Sequence, residues 1–177
     1  MKKHMLVAMS VCAGLCSPPL HAQEVGPELR LGAMLHDIDF LSFNREGGQD
    51  LNGEILFATP RLLSSMGSPR PHVGFALNSD GYTSQLYTGL TWHHRWLNQL
   101  FVEGSLGGTV HNGDTLNYAS DRKSLGSQVL FRLSASVGYQ LTKQNSLSLM
   151  VDHISNAYLA DENEGLDTIG LRIGHRF

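Results

Sequence analysis

Cysteine, long apolar runs and clustered basic residues are all scarce in this sequence of 177 residues, and each scarcity excludes a class of protein. The two cysteines, Cys12 and Cys16, both lie within the first 22 residues. Residues 23–177 therefore offer no disulfide framework, no catalytic thiol and no zinc–thiolate site. No apolar run reaches the roughly 18 residues that a transmembrane helix needs. A transmembrane barrel stays open, because its alternating strands never produce such a run.

The first 22 residues have the pattern of a cleaved secretory signal peptide. Two lysines precede an apolar stretch over 5–15, and Ala22 offers a small residue at a cleavage point. We therefore predict a signal peptide over 1–22 and a single mature domain over 23–177. Cleavage removes two of the 13 Lys and Arg residues and none of the 16 Asp and Glu residues, which leaves a net charge of −5. Such an acidic chain is a poor candidate for nucleic-acid binding.

Alternation of apolar and polar residues dominates the rest of the chain and predicts β-strands. In the clearest segment, apolar side chains at odd positions from Val129 to Leu141 alternate mostly with polar or small ones. Several segments approach the roughly 9–11 residues that a tilted strand needs to cross a bilayer. We predict an all-β fold, an eight-stranded antiparallel transmembrane β-barrel. Its strands are predicted near 27–37, 50–59, 72–78, 82–92, 100–110, 128–141, 146–156 and 165–177.

The connectors and the polar faces support a barrel of the outer-membrane type. The connectors over 36–50, 110–128 and 155–165 are polar and mostly long, whereas 142–145 is short, and this asymmetry is typical of such barrels. The connector over 60–71 is longer than this pattern favours. The alternative is a soluble periplasmic barrel or sandwich with its apolar faces turned inward. In the membrane barrel, the charged residues of the polar faces would form a packed, ion-paired lumen: Arg30, Glu54, Glu103, Arg132, Arg172 and Arg176.

Polar residues interrupt the apolar faces of the last two predicted strands at one height. With the N-terminus in the periplasm, the seventh strand ends at the cell exterior. Every second residue from Leu147 onwards faces outward on this strand, and His153 and Ser155 fall at such outward-facing positions. The same parity places Asp167 outward on the eighth strand, opposite His153 if the hairpin is centred near residue 160. Polar groups on a lipid-facing surface are costly. A serine, a histidine and a carboxylate are what acyl transfer requires, so the group predicts a serine esterase.

Other polar groups support weaker hypotheses. A lone histidine with one carboxylate provides too few ligands for a metal, so no metal site is predicted. His93 and His94 would point to opposite faces of a strand, and the segment 93–96 is interpreted as a polar turn. Arg122 and Lys123 lie in a long exterior loop where they could meet lipid phosphates, but an ordinary solvated loop is favoured.

Three stretches of the sequence also resemble a known family. They are His153-Ile154-Ser155-Asn156-Ala157, Asn163-Glu164-Gly165-Leu166-Asp167, and the segment 101–108, which is similar to that family's central strand. The resemblance is to the PagL family of outer-membrane lipid A 3-O-deacylases. It implies an outer-membrane barrel that hydrolyses the ester-linked 3-hydroxyacyl chain at position 3 of lipid A. Lipopolysaccharide of the outer leaflet would be the substrate, and no cofactor is expected.

The resemblance also implies a role for each residue of the motif. His153 would be the base and Ser155 the nucleophile. Asn156 and Asn163 are candidates for oxyanion stabilisation or loop support. In the family the third member is usually a glutamate, whereas this chain has Asp167 at that position.

Aspartate is one methylene shorter than glutamate, so either the strands must lie closer together or a loop must shift. Glu164 and Glu162 are the alternative acids. Two rival functions remain open at this point: another lipid-modifying enzyme, such as a phospholipase or an acyltransferase, and a non-catalytic structural or adhesive barrel. The co-facing polar residues argue against the second, and the sequence leaves a homodimer open.

Overall fold

The computed structural model describes residues 26–116 and 119–177, so the predicted signal peptide lies outside the described residues. Within them, eight strands form one closed antiparallel barrel, in which each strand pairs with its neighbours in chain order and the last closes onto the first. The predicted fold is therefore confirmed. The strands are β1 (Glu28–Leu35), β2 (Gln49–Leu56), β3 (Arg70–Asn78), β4 (Gln85–Leu97), β5 (Leu100–His111), β6 (Val129–Gln140), β7 (Asn145–Ser155) and β8 (Leu166–Arg176).

Four connectors lie at the end of the barrel where β7 ends, which we call the outer end. They are loop 1 (36–48), loop 2 (79–84), loop 3 (112–128) and loop 4 (156–165). At the opposite end, the connector between β2 and β3 contains a short 3-10 helix, Arg61–Met66, which explains its length. That helix ends at Gly67, whose φ of 82° lies in the left-handed region that favours glycine. No helix in the described part of the chain is both long and apolar enough to cross a membrane.

One predicted boundary is wrong. β4 continues to Leu97, so the segment 93–96 belongs to a strand and is not a polar turn. Pairing with β5 extends to Leu100 and satisfies backbone groups that a turn would leave to solvent. His93 faces the lumen, where its Nδ1 lies 3.0 Å from a carboxylate oxygen of Glu103.

Apolar side chains cover the outside of the barrel and polar ones fill the inside. On β6, Arg132 and Ser134 are buried, whereas Phe131 and Leu133 are each 52% exposed. The same inversion recurs around the barrel, with exposed leucine, isoleucine and valine on the other strands. The soluble alternative with inward apolar faces is therefore wrong, since an apolar outer surface of this extent is stable in lipid.

The lumen is ion-paired, as predicted. Both terminal nitrogens of Arg30 lie 2.7 Å from the carboxylate oxygens of Glu103. Arg172 donates to Glu54 at 3.0 Å. Because a buried charge without a partner is strongly destabilising, these pairs help to fix the strand register. Further pairs are Arg30–Glu28, Arg70–Glu28, Arg132–Asp152 and Arg176–Glu28.

Candidate active site

His153 and Asp167 lie opposite each other on β7 and β8, in the register that the hairpin suggests. The imidazole Nδ1 is 2.7 Å from the Asp167 Oδ1, on the outer face of the barrel near its outer end. Asp167 is fully buried, whereas the His153 side chain is 25% exposed. A carboxylate at Nδ1 fixes the proton on that nitrogen, which leaves Nε2 as the proton acceptor.

Ser155 lies two residues beyond His153 on the same face of β7, and both line a groove of about 410 Å³. Loop 1 and loop 4 form the other walls of this groove, and the highly exposed Phe43 and Tyr158 lie among its lining residues. Among the described residues, no hydrogen bond joins the Ser155 hydroxyl to the imidazole. This is common in enzymes without substrate, because catalytic hydrogen bonds tighten on binding.

Loop 1 encloses the second oxygen of the acid. The backbone N–H groups of Leu41 and Ser42 each donate to the Asp167 Oδ2 at 2.7 Å, and the Ser42 hydroxyl donates to it at 3.0 Å. These donors favour the ionised carboxylate while its other oxygen holds His153. The shorter aspartate thus reaches the histidine because the two residues are direct cross-strand partners. Loop 1 contacts the other carboxylate oxygen of Asp167.

These loop 1 residues were not identified from the sequence. The signal for them is weak: Phe40, Leu41 and Phe43 are large apolar residues in a connector interpreted as polar. In the structure Phe40 and Leu41 are each 64% exposed and Phe43 is 84% exposed, and exposed apolar groups of this kind indicate a surface that contacts lipid.

A buried cluster of charged residues anchors loop 1 to the rim. The His36 imidazole bridges Asp50 at 2.9 Å and Glu46 at 3.0 Å. Burial opposes the charged imidazolium, but the hydrogen bonds to Asp50 and Glu46 outweigh it and raise the pKa of His36 to about 9. Burial likewise opposes the Glu46 carboxylate, but donors from His36, Lys123 and Thr83 lower the pKa of Glu46 to about 2.

Lys123 belongs to the same cluster, so the interpretation that it lies in a solvated loop is wrong. Its side chain is 1% exposed, and its Nζ lies 3.1 Å from Asp37, which is itself fully buried. The ammonium also donates to the Phe43 carbonyl of loop 1. A buried carboxylate without a cationic partner is strongly destabilising, so the pairing with Asp37 explains why the Lys123 side chain is buried. The neighbouring Arg122 stays at the rim and stacks over the ring of Tyr82.

The two asparagines of the motif lie in different environments. Asn156 is buried, and its amide donates to the carbonyl of Leu125 at 2.9 Å and to that of Glu162, which joins loop 3 to loop 4. Its backbone N–H donates to the Asn163 Oδ1 at 2.9 Å. Asn163 lines the catalytic groove, and its amide nitrogen has no partner among the described residues. Loop support therefore suits Asn156, and oxyanion stabilisation suits Asn163.

The alternative acids do not contact His153 within the described part of the chain. Glu164 accepts the backbone N–H of Ser124 at 2.7 Å and pairs with Arg45 at 2.7 Å. Glu162 contributes its backbone carbonyl to Asn156. The geometry therefore favours Asp167 as the acid and assigns Glu164 to tying the loops together.

Unusual backbone conformations flank the candidate nucleophile. Ala157 and Tyr158, which follow Ser155 closely, have φ values of 54° and 63°, which non-glycine residues adopt rarely. Gly165 has a φ of 64°, and a Cβ there would lie 3.0 Å from the His153 Cε1. Strained residues of this kind cluster at functional sites, where surrounding contacts hold them in place.

Comparisons with known proteins identify a family that matches this chain. A family model described as lipid A 3-O-deacylase (PagL) matches residues 69–176. The lipid A deacylase PagL of Bordetella bronchiseptica is 31% identical over 79 residues, which cover 45% of this chain and 42% of that relative. The matched region thus spans less than half of the curated relative.

Two solved structures share the fold. The outer membrane enzyme PagL has a TM-score of 0.59 at 16% identity, covering 85% of this chain and 99% of its own. The N-terminal β-barrel domain of Pseudomonas aeruginosa OprF has a TM-score of 0.57 at 13% identity, with 85% and 96% covered. The family match extends over more than half of the sequence and includes His153, Ser155 and Asp167, so this chain belongs to the PagL family of lipid A 3-O-deacylases.

Proposed function

We propose that this protein is an outer-membrane lipid A 3-O-deacylase, a serine esterase with Ser155, His153 and Asp167 as its catalytic triad. The main support is the 2.7 Å contact between His153 and Asp167 on the outside of a barrel, with a serine two residues away in the same groove. A site on the outer face suits a lipid of the outer leaflet, because the substrate need not enter the lumen.

In the acylation step, the Ser155 Oγ attacks the carbonyl carbon of the ester at position 3 of lipid A. The His153 Nε2 takes the hydroxyl proton, and the Asp167 carboxylate stabilises the imidazolium that forms. Collapse of the tetrahedral intermediate breaks the bond to the sugar oxygen, which takes the proton from His153. The sugar leaves with a free 3-hydroxyl, and the acyl chain remains on Ser155.

In the second step, water attacks the acyl-enzyme while His153 takes one of its protons. The bond to the Ser155 Oγ breaks, His153 returns the proton to that oxygen, and a free 3-hydroxy fatty acid is released. Asn163 is the proposed side-chain donor to the tetrahedral oxyanion, because it lines the groove and its amide nitrogen has no hydrogen-bond partner among the described residues. Removing one such donor typically lowers kcat by about 10²–10³.

The test is mass spectrometry of purified lipid A after incubation with the refolded protein in detergent. We expect wild type to remove one 3-hydroxyacyl chain and Ser155→Ala to remove none. Ser148→Ala is the matched control, since Ser148 lies on the same strand but faces the lumen, and it should retain activity. Unchanged lipid A with folded wild-type protein would contradict the proposal and direct the assay to phospholipids.

A further inference from the structure

The connector between β2 and β3 lies on the outer wall of the barrel, at the end opposite the catalytic groove, which we call the inner end. Trp92 of β4 follows the buried, lumen-facing Thr91, so its indole ring points outward. The indole Nε1 donates to the Met66 carbonyl at 2.8 Å, and a Cβ added at Gly67 would lie 3.4 Å from the Trp92 Cδ1. The 3-10 helix that ends in Met66 therefore lies against the lipid-facing side of β4.

The strand register leaves room for the connector at this position. β3 pairs with β4 only as far as Arg70 opposite Thr91, whereas β4 continues to Leu97. Beyond Thr91, β4 thus pairs with β5 on one side and with no strand on the other within the described residues. Open strand edges are commonly covered by other segments, and the contacts of the connector with Trp92 cover the start of this edge.

The 3-10 helix exposes large apolar side chains. None of its six residues is buried, and Leu62 is 77% exposed and Met66 53% exposed. Residues three apart lie on one face of a 3-10 helix, so Arg61 and Ser64 share a polar face and the two apolar residues lie on the other faces. The helix therefore presents both a cationic polar face and apolar side chains to its surroundings.

Exposed charged side chains of the described residues divide by sign between the two ends of the barrel. Those at the outer end are carboxylates, whereas those of lysine and arginine lie at the inner end. The carboxylates are Asp39, Asp80, Asp121 and Asp161, and the cations are Arg61, Arg95 and Lys143. Cations beside a membrane surface are attracted to lipid phosphate, so the charge of the inner end suits phospholipid headgroups.

We propose that the 3-10 helix binds the phospholipid surface of the inner leaflet. Leu62 and Met66 enter the boundary between headgroups and acyl chains, and Arg61 contacts lipid phosphate. Apolar groups of interfacial helices reach about 5–10 Å into this boundary. Lipid is the partner because the helix continues the lipid-facing wall of β4, and because both tryptophans of the chain, Trp92 and Trp96, lie at this end. Tryptophan is enriched where a membrane protein meets the headgroups.

The experiment uses the absence of cysteine from residues 23–177, which allows one probe to be attached at a chosen position. Leu62→Cys and Ser64→Cys are each labelled with the fluorophore NBD and refolded into vesicles of phosphatidylethanolamine and phosphatidylglycerol. A phosphatidylcholine brominated near the headgroup end of its acyl chains is the quencher. We expect blue-shifted emission at position 62, which the brominated lipid lowers by about half or more.

Ser64→Cys is the matched control, because Ser64 is also exposed but lies on the polar face of the same helix. Its emission should resemble that of the probe in water and should be quenched far less. Both positions are exposed, so labelling leaves the packing of the barrel intact. The change of electrophoretic mobility on heating checks that each labelled barrel is folded.

A charge reversal tests the contact with phosphate. Adding Arg61→Glu to the labelled Leu62→Cys protein should reduce the quenching, because a carboxylate repels lipid phosphate. Arg122→Glu makes the same change of charge at the outer end and should leave the quenching as it was. Equal quenching in the two charge variants would overturn the role of Arg61.

Three results with the probes alone would overturn the inference. Water-like emission at both positions would place the helix in the aqueous phase. Equal quenching at both positions would show that the apolar side chains are not preferentially embedded. Blue-shifted emission at position 62 that grows with protein density and resists the brominated lipid would assign the surface to a second copy of the chain. None of these measurements depends on deacylation, so the inference and the proposed function are tested separately.

Discussion

The catalytic hairpin, formed by β7, loop 4 and β8, contrasts with loop 1, although both contact the same carboxylate. The hairpin places His153 opposite Asp167 through ten consecutive cross-strand pairs, so local backbone register sets the contact between base and acid. Loop 1 reaches the acid from residues about 125 positions earlier in the chain and is held by a buried charged cluster. One carboxylate oxygen of Asp167 is therefore positioned by the backbone pairing of β7 with β8, and the other by a loop that long-range contacts hold in place.

The largest expected effect comes from removing the base. His153→Ala should lower kcat for lipid A deacylation by about 10⁴-fold or more, because the variant lacks the proposed acceptor of the Ser155 proton. Kinetics on the detergent-solubilised protein measure this decrease. The control for folding is the electrophoretic mobility of the variant, which changes on heating if the barrel is folded. Activity near that of wild type would remove His153 from the triad.

Replacing the acid should have the next largest effect. Asp167→Asn removes the charge that stabilises the imidazolium, and we expect kcat to fall by about 10³–10⁴-fold. Glu164→Gln is the comparison, since Glu164 ties Arg45 to loop 4 and does not contact His153. If Glu164→Gln instead has the greater effect, the acid has been assigned to the wrong residue.

Breaking the anchor of loop 1 should reduce activity more modestly. Lys123→Met leaves Asp37 buried without its cation, at a cost of about 3 kcal/mol, and should release loop 1. Displacement of the Leu41 and Ser42 donors then lowers kcat by about 10- to 100-fold. Hydrogen exchange over 37–46 measures the release, with Arg122→Met as the control at the neighbouring position. Unchanged exchange and activity would show that the anchor does not support the acid.

The smallest expected effect is a pH dependence of loop 1. Because the folded-state pKa of His36 is raised to about 9, its contribution to anchoring is complete below about pH 6.5 and is lost as the pH rises through 9. Because the pKa of Glu46 is lowered to about 2, its contribution is complete above about pH 4.5 and is lost as the pH falls towards 2.

Hydrogen exchange of loop 1, corrected for intrinsic rates, should therefore increase between pH 7 and 10 in wild type. The same loop in His36→Gln should show no such step. A step of equal size in both proteins would assign the titration to another group.

Much of the fold was predictable because a barrel strand has a period of two, which is visible in the sequence. The end of β4 was not, since His93 and His94 interrupt the apolar pattern while backbone pairing with β5 continues. The burial of Lys123 was also missed, because its partner Asp37 lies 86 positions earlier and nothing local connects them.

The sequence alone determined which residues face lipid, which face the lumen, and that His153, Ser155 and Asp167 share one outer face. Parity along two hairpin-linked strands is enough for this, because a shift of one residue would turn every side chain to the other face. Only the tertiary structure decided that loop 1 supplies donors to the acid, and that Lys123 of loop 3 anchors loop 1 through Asp37. Those relations depend on barrel closure and on contacts between residues far apart in the chain, which no local pattern specifies.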